Sequence, residues 1–597
     1  MLKKLNGNYA LRFLYSSLEI STPSILYASS KLFAELVFLD NAFNISFKFV
    51  LRVCLLITLG CLGAAFNCGA GFDLGDFGAT GFGASTFGTG CFDNVCLGLA
   101  AAFNCSVFSG ATILLGFGDF NNVTGKEFLG ADFFERSAFS VLGDNFLTFF
   151  TDDFFNLFPV FIYYMDIYLF HRDLRIIDNN GLNPDYNLVP IFIFTPEQIE
   201  PSKNKYFSNN SVQFMCECLD DIKNSVPELY LFYGDTIKTL QKIHKKVGIK
   251  SLHFNLDYTP YARRRDDLIF DFCTKNKIEC LTYEDYLLAS MGSFLKKDGN
   301  PYVVYGPFKD TVMSSKIAKP NNIKPTFIKC PELNSLTTKR IFYKNNPDNL
   351  VKGGRAEALK KLNFTNYEHN KLSHSTTHLS AYIKYGCISI REAYYANTNI
   401  TYRQQLIWRE FYYYIGVYFP DVIDKSKNFQ TKYDGIQWSK SEHLLTAWQK
   451  GETGYPIIDA CMRELNTSGY MHNRGRLISS NFLNRILNMD WRLGELYFAQ
   501  QLIDYDPLVN NGNWQWIAST GTDTKPYFQR LFNPWLQGQR FDPNCEYIKK
   551  WLPELKDVSS KDIHNWEKYH NGRYIKPIIN YEEARKKSIE TYKKILS

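Results

Sequence analysis

The chain has 597 residues and a formal net charge of +7, with 21% of its residues charged. That length is more than one domain needs. Its 14 cysteines are scattered, with only Cys216 and Cys218 close together, and none shows zinc or iron–sulfur spacing; this excludes a metal-finger class and points to reduced structural thiols inside a cell.

The composition breaks near Met165. Residues 1–164 hold 27 of the 49 Phe and 18 of the 38 Gly, but none of the nine Trp. They carry 8 basic and 13 acidic residues, which leaves 59 basic against 47 acidic in the remainder, a balance of +12. A net positive body suits a polyanionic partner. The stretch "GAGFDLGDFGATGFGASTFGTGCF" is Gly/Phe-rich low complexity without a sustained period, so it offers no packing face. Residues 53–72 are uncharged and long enough to span a bilayer, but their Gly and Asn make a poor span, and no membrane partner is expected. The apolar run starts too late for a cleavable signal. Phe and Gly dominance is what antisense reading of Lys- and Pro-rich codons would produce. We therefore expect residues 1–164 to be a low-complexity extension that is not native coding sequence, with the folded body opening at Met165.

From there the chain alternates. "MDIYLF" and "LVPIFIF" are apolar runs of strand length, the second continuous as in a strand buried on both faces. "NSVQFMCECLDDIKNSV" has helical spacing through Val212, Met215, Leu219 and Ile222. "LYLFYG" reads as a strand, "DTIKTLQKIHKKVG" as a helix capped by Asp235 and closed by Gly248, and "SLHFN" as a strand. Strand–helix–strand alternation predicts a parallel sheet over about 165–290. No GxGxxG follows the first strand, so the dinucleotide fingerprint is absent. Two charged clusters, "HRDLRIIDN" and "DYTPYARRRDD", fall at strand ends.

From about Tyr367 the pattern becomes helical and aromatic. In "STTHLSAYIKYGCISIREAY" the hydroxyls of Thr376, Thr377 and Ser380 either cap a helix or face a phosphate at its start. In "QQLIWREFYYY", Arg409 lies within an apolar run and needs a carboxylate or phosphate partner. "GYMHNRGRLISSNFLNRI" places Asn473, Arg476 and Ser480 on one helical face, a polar row that meets a ligand or a buried network. Asp504 and Asp506 in "LIDYDP" are too thin a set for a metal and better suited to salt bridges with Arg476 or Arg409. Trp514 and Trp516 in "NNGNWQW" point roughly 200° apart on a helix, so they are expected not to share one pocket.

Taken together, "HRDLRIIDN", "DYTPYARRRDD", "LIWREF", "TGYPIIDACMRELNTSGYMHNR", "DYDPLVNNGNWQWIASTGTD" and "PYFQRLFNPWLQGQRFDP" resemble the DNA photolyase/cryptochrome family, and within it the class I cyclobutane pyrimidine dimer photolyases. The resemblance covers nearly all of 165–597. It implies a Rossmann-like, parallel-sheet α/β antenna domain (165–290), a linker (291–365) and an all-helical FAD- and DNA-binding domain (366–597). It also implies U-shaped FAD held by Tyr367, Thr376, Thr377, Leu379, Ser380, Trp408, Arg409, Tyr412, Asn473, Arg476, Asp504, Asp506 and Asn510, with Asn473 facing flavin N5. Trp514 matches the flavin-proximal electron donor, followed outward by Trp491 and Trp438. Lys371, Gln405, Trp408, Asn473, Arg474, Leu477, Trp516 and Gln537 match the side that receives DNA, with Trp516 stacking on the damaged pyrimidines.

The activity implied is blue-light repair of cyclobutane dimers in UV-damaged DNA by an intracellular monomer. An antenna chromophore, folate or deazaflavin, is implied without its identity. Several positions depart from the family pattern. His378 replaces an Arg, Tyr470 a Trp and Leu477 a Met, "PYFQRLFNP" is one residue longer, and Gln405 stands where cyclobutane enzymes carry Glu and (6-4) enzymes Gln. A (6-4) photolyase needs a histidine acid at the lesion, which neither Asn473 nor Leu477 supplies. A cryptochrome photoreceptor is the third reading, and the chain's end at "YKKILS", without a long tail, leans away from it.

Overall fold

A computed structural model describes residues 164–337, 340–365, 367–373, 376–424, 426–522, 524–570 and 572–596. Apart from Tyr164, the expectations for 1–164 lie outside these residues. All described residues belong to one unit of the chain. None of its described helices is long and apolar enough to cross a membrane.

Six strands form one parallel sheet: β1 (Met165–Phe170), β2 (Asn187–Phe194), β3 (Tyr230–Tyr233), β4 (Ile249–Asn255), β5 (Glu279–Tyr283) and β6 (Thr326–Phe327). Their order is β3-β2-β1-β4-β5, with β6 beside β2. Crossover helices α1 (Asn209–Ile222), α2 (Thr236–Val247) and α3 (Pro260–Asn276) make the parallel order feasible. Each starts on a side-chain cap: Ser208 accepts from Ser211 N, Asp235 from Lys238 N, and Thr259 from Ala262 N ahead of Pro260. Gly248 closes α2 at φ 68°. Strand alternation divides β1 between two cores, Ile167 and Leu169 on one face and Tyr168 and Phe170 on the other. Pro190 lies inside β2 without disrupting it. Pairing to β6 ends at Leu188 and pairing to β3 begins at Ile191, so Pro190 falls in the gap on that flank.

The stretch 291–365, expected as a linker, is built into the fold. It supplies β6, α4 (Tyr305–Ser314) and α5 (Arg355–Leu362). Phe308 of α4 is fully buried and meets Phe411 at 5.4 Å and Tyr414 at 5.1 Å between ring centroids. The sheet therefore extends past residue 290. Short elements separated by polar turns hid this, because neither period runs long enough to register.

The helical part contains α6 (Ser380–Lys384), α7 (Ile400–Tyr418), α8 (Glu442–Lys450), α9 (Pro456–Ser468), α10 (Asn473–Asn481), α11 (Trp491–Gln501), α12 (Pro507–Ile517) and α13 (Tyr581–Leu596), with further short helices between them. One apolar cluster runs from Phe170 and Phe192 in the sheet to Tyr382, Ile407 and Phe411. A second surrounds Trp448, Trp491 and Trp514.

"HRDLRIIDN" fastens the two parts. Arg391 donates to Asp178 and Asp285 over 2.9 Å each, and Arg175 also pairs with Asp285. Arg172 follows β1 and Asp257 follows β4, the two strands between which the order of the sheet reverses. Their ion pair of 2.8 Å fills this switch point, and Arg172 also reaches Asp506 at 2.9 Å.

Candidate functional site

A cavity of about 400 Å³ opens among α6, α7, α10 and α12, in the size range of small-molecule sites. Tyr367, Thr376, Thr377, Leu379 and Ser380 form one wall. Leu379, not a hydroxyl residue, occupies the N-cap of α6 and makes no side-chain cap bond. The capping alternative for the hydroxyls therefore fails. Thr376 Oγ1 lies 3.1 Å from the Tyr470 hydroxyl, and Ser380 bonds the Asp504 carboxylate.

Gln405, Trp408, Arg409 and Tyr412 form the α7 wall, at spacings of three, four and seven that share a helical face. Trp408 stacks on Tyr305 of α4 at 3.5 Å and 7°. Arg409 Nη1 donates to the Tyr286 carbonyl at 2.8 Å, its guanidinium lies 4.5 Å over the Tyr413 ring, and its charge favours the ionised carboxylates of Glu410 and Asp506.

Asn473, Arg476, Leu477 and Ser480 bring the polar face of α10 to the cavity. Arg476 Nη2 donates to both Asp504 oxygens, at 3.0 and 2.9 Å, while its Nε donates to the Met471 carbonyl at 2.8 Å. Burial pushes the Asp504 carboxyl up, and Arg476 outweighs it, leaving the group below the usual carboxylate range. Asp506 is also below that range, burial being outweighed by Arg172 and Arg409. Its oxygens cap α12 and accept from Arg172 at 2.9 Å and Tyr413 at 2.6 Å. Asn510 Nδ2 donates to Glu495 Oε1 at 3.1 Å. Among the described residues, no cluster of three acids, histidines or cysteines could hold a metal.

Trp514 and Trp516 leave α12 in different directions, yet both border this cavity. The expectation of separate pockets is corrected because a volume of about 400 Å³ admits two diverging rings from one helix. Trp514 is buried against Phe498 at 4.9 Å and Trp448 at 6.2 Å. Trp516 is half-buried beneath the Arg530 guanidinium, 3.6 Å from its ring centroid. Trp491 is buried, with Nε1 donating to Asn428 Oδ1 at 2.9 Å, and Trp438 is half-buried, 6.2 Å from Tyr592.

The cavity wall leaves out Lys371, Arg474 and Gln537. Lys371 is exposed and Gln537 half-buried; Arg474 donates to Asn370 Oδ1 at 2.5 Å and lies 4.2 Å over Phe541. Sequence reasoning missed Tyr305, which carried no motif, and Lys384, which sits four residues after Ser380 and so shares its helical face. Lys384 is half-buried, and desolvation lowers it to about 7.

Residues 166–325 match the family model for DNA photolyase, and residues 402–594 match the FAD-binding domain of DNA photolyase. The deoxyribodipyrimidine photo-lyase of Alkalihalophilus pseudofirmus is 33% identical over 470 residues, covering 71% of this chain and 97% of that protein. A crystal structure of an archaeal photolyase from Sulfolobus tokodaii, with two FAD molecules, superposes with a TM-score of 0.67 at 37% identity, covering 72% of this chain and all of that one. A Synechocystis cryptochrome shares the fold with a TM-score of 0.66 at 21% identity, covering 72% of this chain and 100% of its own.

The cavity fits the cofactor named by the second family model. Trp408, Tyr412 and Trp514 supply aromatic surface. Thr376 and Thr377 supply hydroxyls, and the buried Nδ1 of His378 has no partner among the described residues. With two family models matched in order and relatives covered almost end to end, the chain belongs to the DNA photolyase/cryptochrome family.

Proposed function

We propose that this protein repairs cyclobutane pyrimidine dimers in DNA under blue light. The observation that carries the reading is the convergence on one cavity of an aromatic wall, a carboxylate–guanidinium pair and a half-buried tryptophan. When bound in its reduced form, FAD supplies the photoexcited electron that opens the cyclobutane ring and is then returned.

Arg476 and Asp504 orient the cofactor, the guanidinium compensating the charge that a buried carboxylate would otherwise impose on it. Asn473, exposed at the start of α10, is placed to meet the cofactor or the lesion. Trp516 offers ring area to an unstacked base, and a damaged base pair costs least to open. Trp514, buried and adjacent to the cavity, donates an electron when the cofactor is oxidised, with Trp491 and the half-buried Trp438 carrying the deficit outward. Lys371, Arg474 and Gln537, outside the wall, contact the DNA backbone around the opening, which makes binding salt-dependent.

Gln405 favours a second reading, repair of (6-4) lesions. His369 and His378 are histidines in the cavity wall that such a reaction requires. Without a bound ligand, burial holds both below the ordinary histidine range. Two oligonucleotides, one with each lesion, decide between the readings: light-dependent repair confined to the cyclobutane dimer supports the first, and repair confined to the (6-4) product overturns it.

A further inference from the structure

Two imidazoles, His369 and His378, line the hydroxyl-lined end of the cavity, and a third, His472, interacts with both; Nδ1 of His369, Nδ1 of His378 and Nε2 of His472 are buried and meet no partner among the described residues. Buried polar atoms are seldom left unpaired, so an orphaned nitrogen bordering a cavity marks where a ligand atom belongs. His378 is the best placed. It lines the cavity between Thr377 and Leu379, holds a left-handed backbone at φ 51°, and sets its ring edge-on against Tyr470 at 4.9 Å. A non-glycine residue keeps that backbone only where its surroundings impose it. The carboxylate that acts on it, Asp504, is already engaged by Arg476 and Ser380, so it does not serve as the missing partner.

Of the parts of oxidised FAD, only the diphosphate is an anion. We infer that His378 is a proton-coupled anchor for that diphosphate, so that this chain takes up a proton as it takes up FAD. The inference rests on the cavity being the FAD site. Without a ligand, burial holds the imidazole at about 4, Lys361 and Lys550 oppose its protonation, and Asp504 favours it. His472 also faces it, and Lys384 stands on the adjoining helix α6. A neighbouring dianion supplies both an acceptor and opposite charge, which raises the histidine's affinity for a proton. FAD affinity then rises as pH falls below the raised value, by up to about tenfold per pH unit for one proton, and levels off near the ligand-free value. An arginine at this position would hold its charge throughout and remove the dependence.

The test uses the full FAD-loaded chain and reads the flavin released on dilution, by its fluorescence, between about pH 6 and pH 8. FAD dissociation is expected to strengthen by about tenfold or more across that range in the wild type. His378→Gln should flatten the profile at the weak end, and His378→Arg should flatten it at the tight end. A slope that persists in His378→Gln belongs to another group, such as Lys384, and overturns the inference. Calorimetry on the wild type alone gives an independent arm: a binding enthalpy that tracks the buffer's ionisation enthalpy supports proton uptake, and one that ignores the buffer overturns it. A chain that binds no FAD at any pH fails earlier, at the flavin reading itself.

Discussion

Arg172, directly after β1, forms ion pairs with Asp257 at 2.8 Å and Asp506 at 2.9 Å, joining the switch point of the sheet to the first turn of α12. The helix that carries Trp514 and Trp516 is thus held by a side chain from the α/β part. Removing one member of a buried ion network strands the others, at a cost of about 3–5 kcal/mol. Arg172→Met should therefore lower unfolding stability by about that amount in denaturant melts. A loss under about 0.5 kcal/mol, ordinary for a surface substitution, would show that the network does not hold the parts together.

Trp514→Phe keeps an aromatic ring against Phe498 and Trp448 while removing the readily oxidised indole. The variant should retain FAD and repair from pre-reduced cofactor, while photoreduction of oxidised flavin slows by about tenfold or more, each tenfold corresponding to about 1.4 kcal/mol in barrier. Flash-photolysis traces indistinguishable from wild type would remove Trp514 from the donor role.

Gly494 lies under the same ring. A Cβ there would approach Trp514 Cη2 to 2.1 Å and Leu483 Cδ2 to 2.5 Å. Gly→Ala inside a helix ordinarily stabilises by about 1 kcal/mol. Here the clash should reverse the sign, costing about 1–3 kcal/mol and shifting Trp514 emission. A more stable Gly494→Ala would mean that the ring can move aside freely.

Glu410 tests pH dependence. It is fully buried, accepts from Leu288 N at 3.1 Å, and is pushed by burial to about 7. Because its folded-state value is raised, the folded protein keeps a proton that the unfolded chain releases. Stability therefore falls as pH rises from the ordinary carboxyl value to about 7, then levels. Glu410→Gln, neutral throughout, should flatten that segment, a difference on the order of 3 kcal/mol at pH 8. Parallel wild-type and variant profiles between those limits would contradict the assignment.

The α/β elements were legible because caps and periods agreed, as with Asp235 and Gly248 around α2. The α7 wall was legible because its residues sit in a long helix at fixed spacings, as with Gln405, Trp408 and Tyr412. What escaped depended on tertiary closure. β6 is two residues long and exists only through pairing with β2. Arg409 donates to the backbone carbonyl of Tyr286, far away in the chain, and that partner leaves no mark in the local sequence.

The central claim is tested most directly by illuminating the full chain, loaded with reduced FAD, together with an oligonucleotide carrying a single thymine cyclobutane dimer. The account predicts that intact thymines reappear under blue light and not in darkness. Persistence of the dimer under illumination, with reduced FAD demonstrably bound, would contradict it.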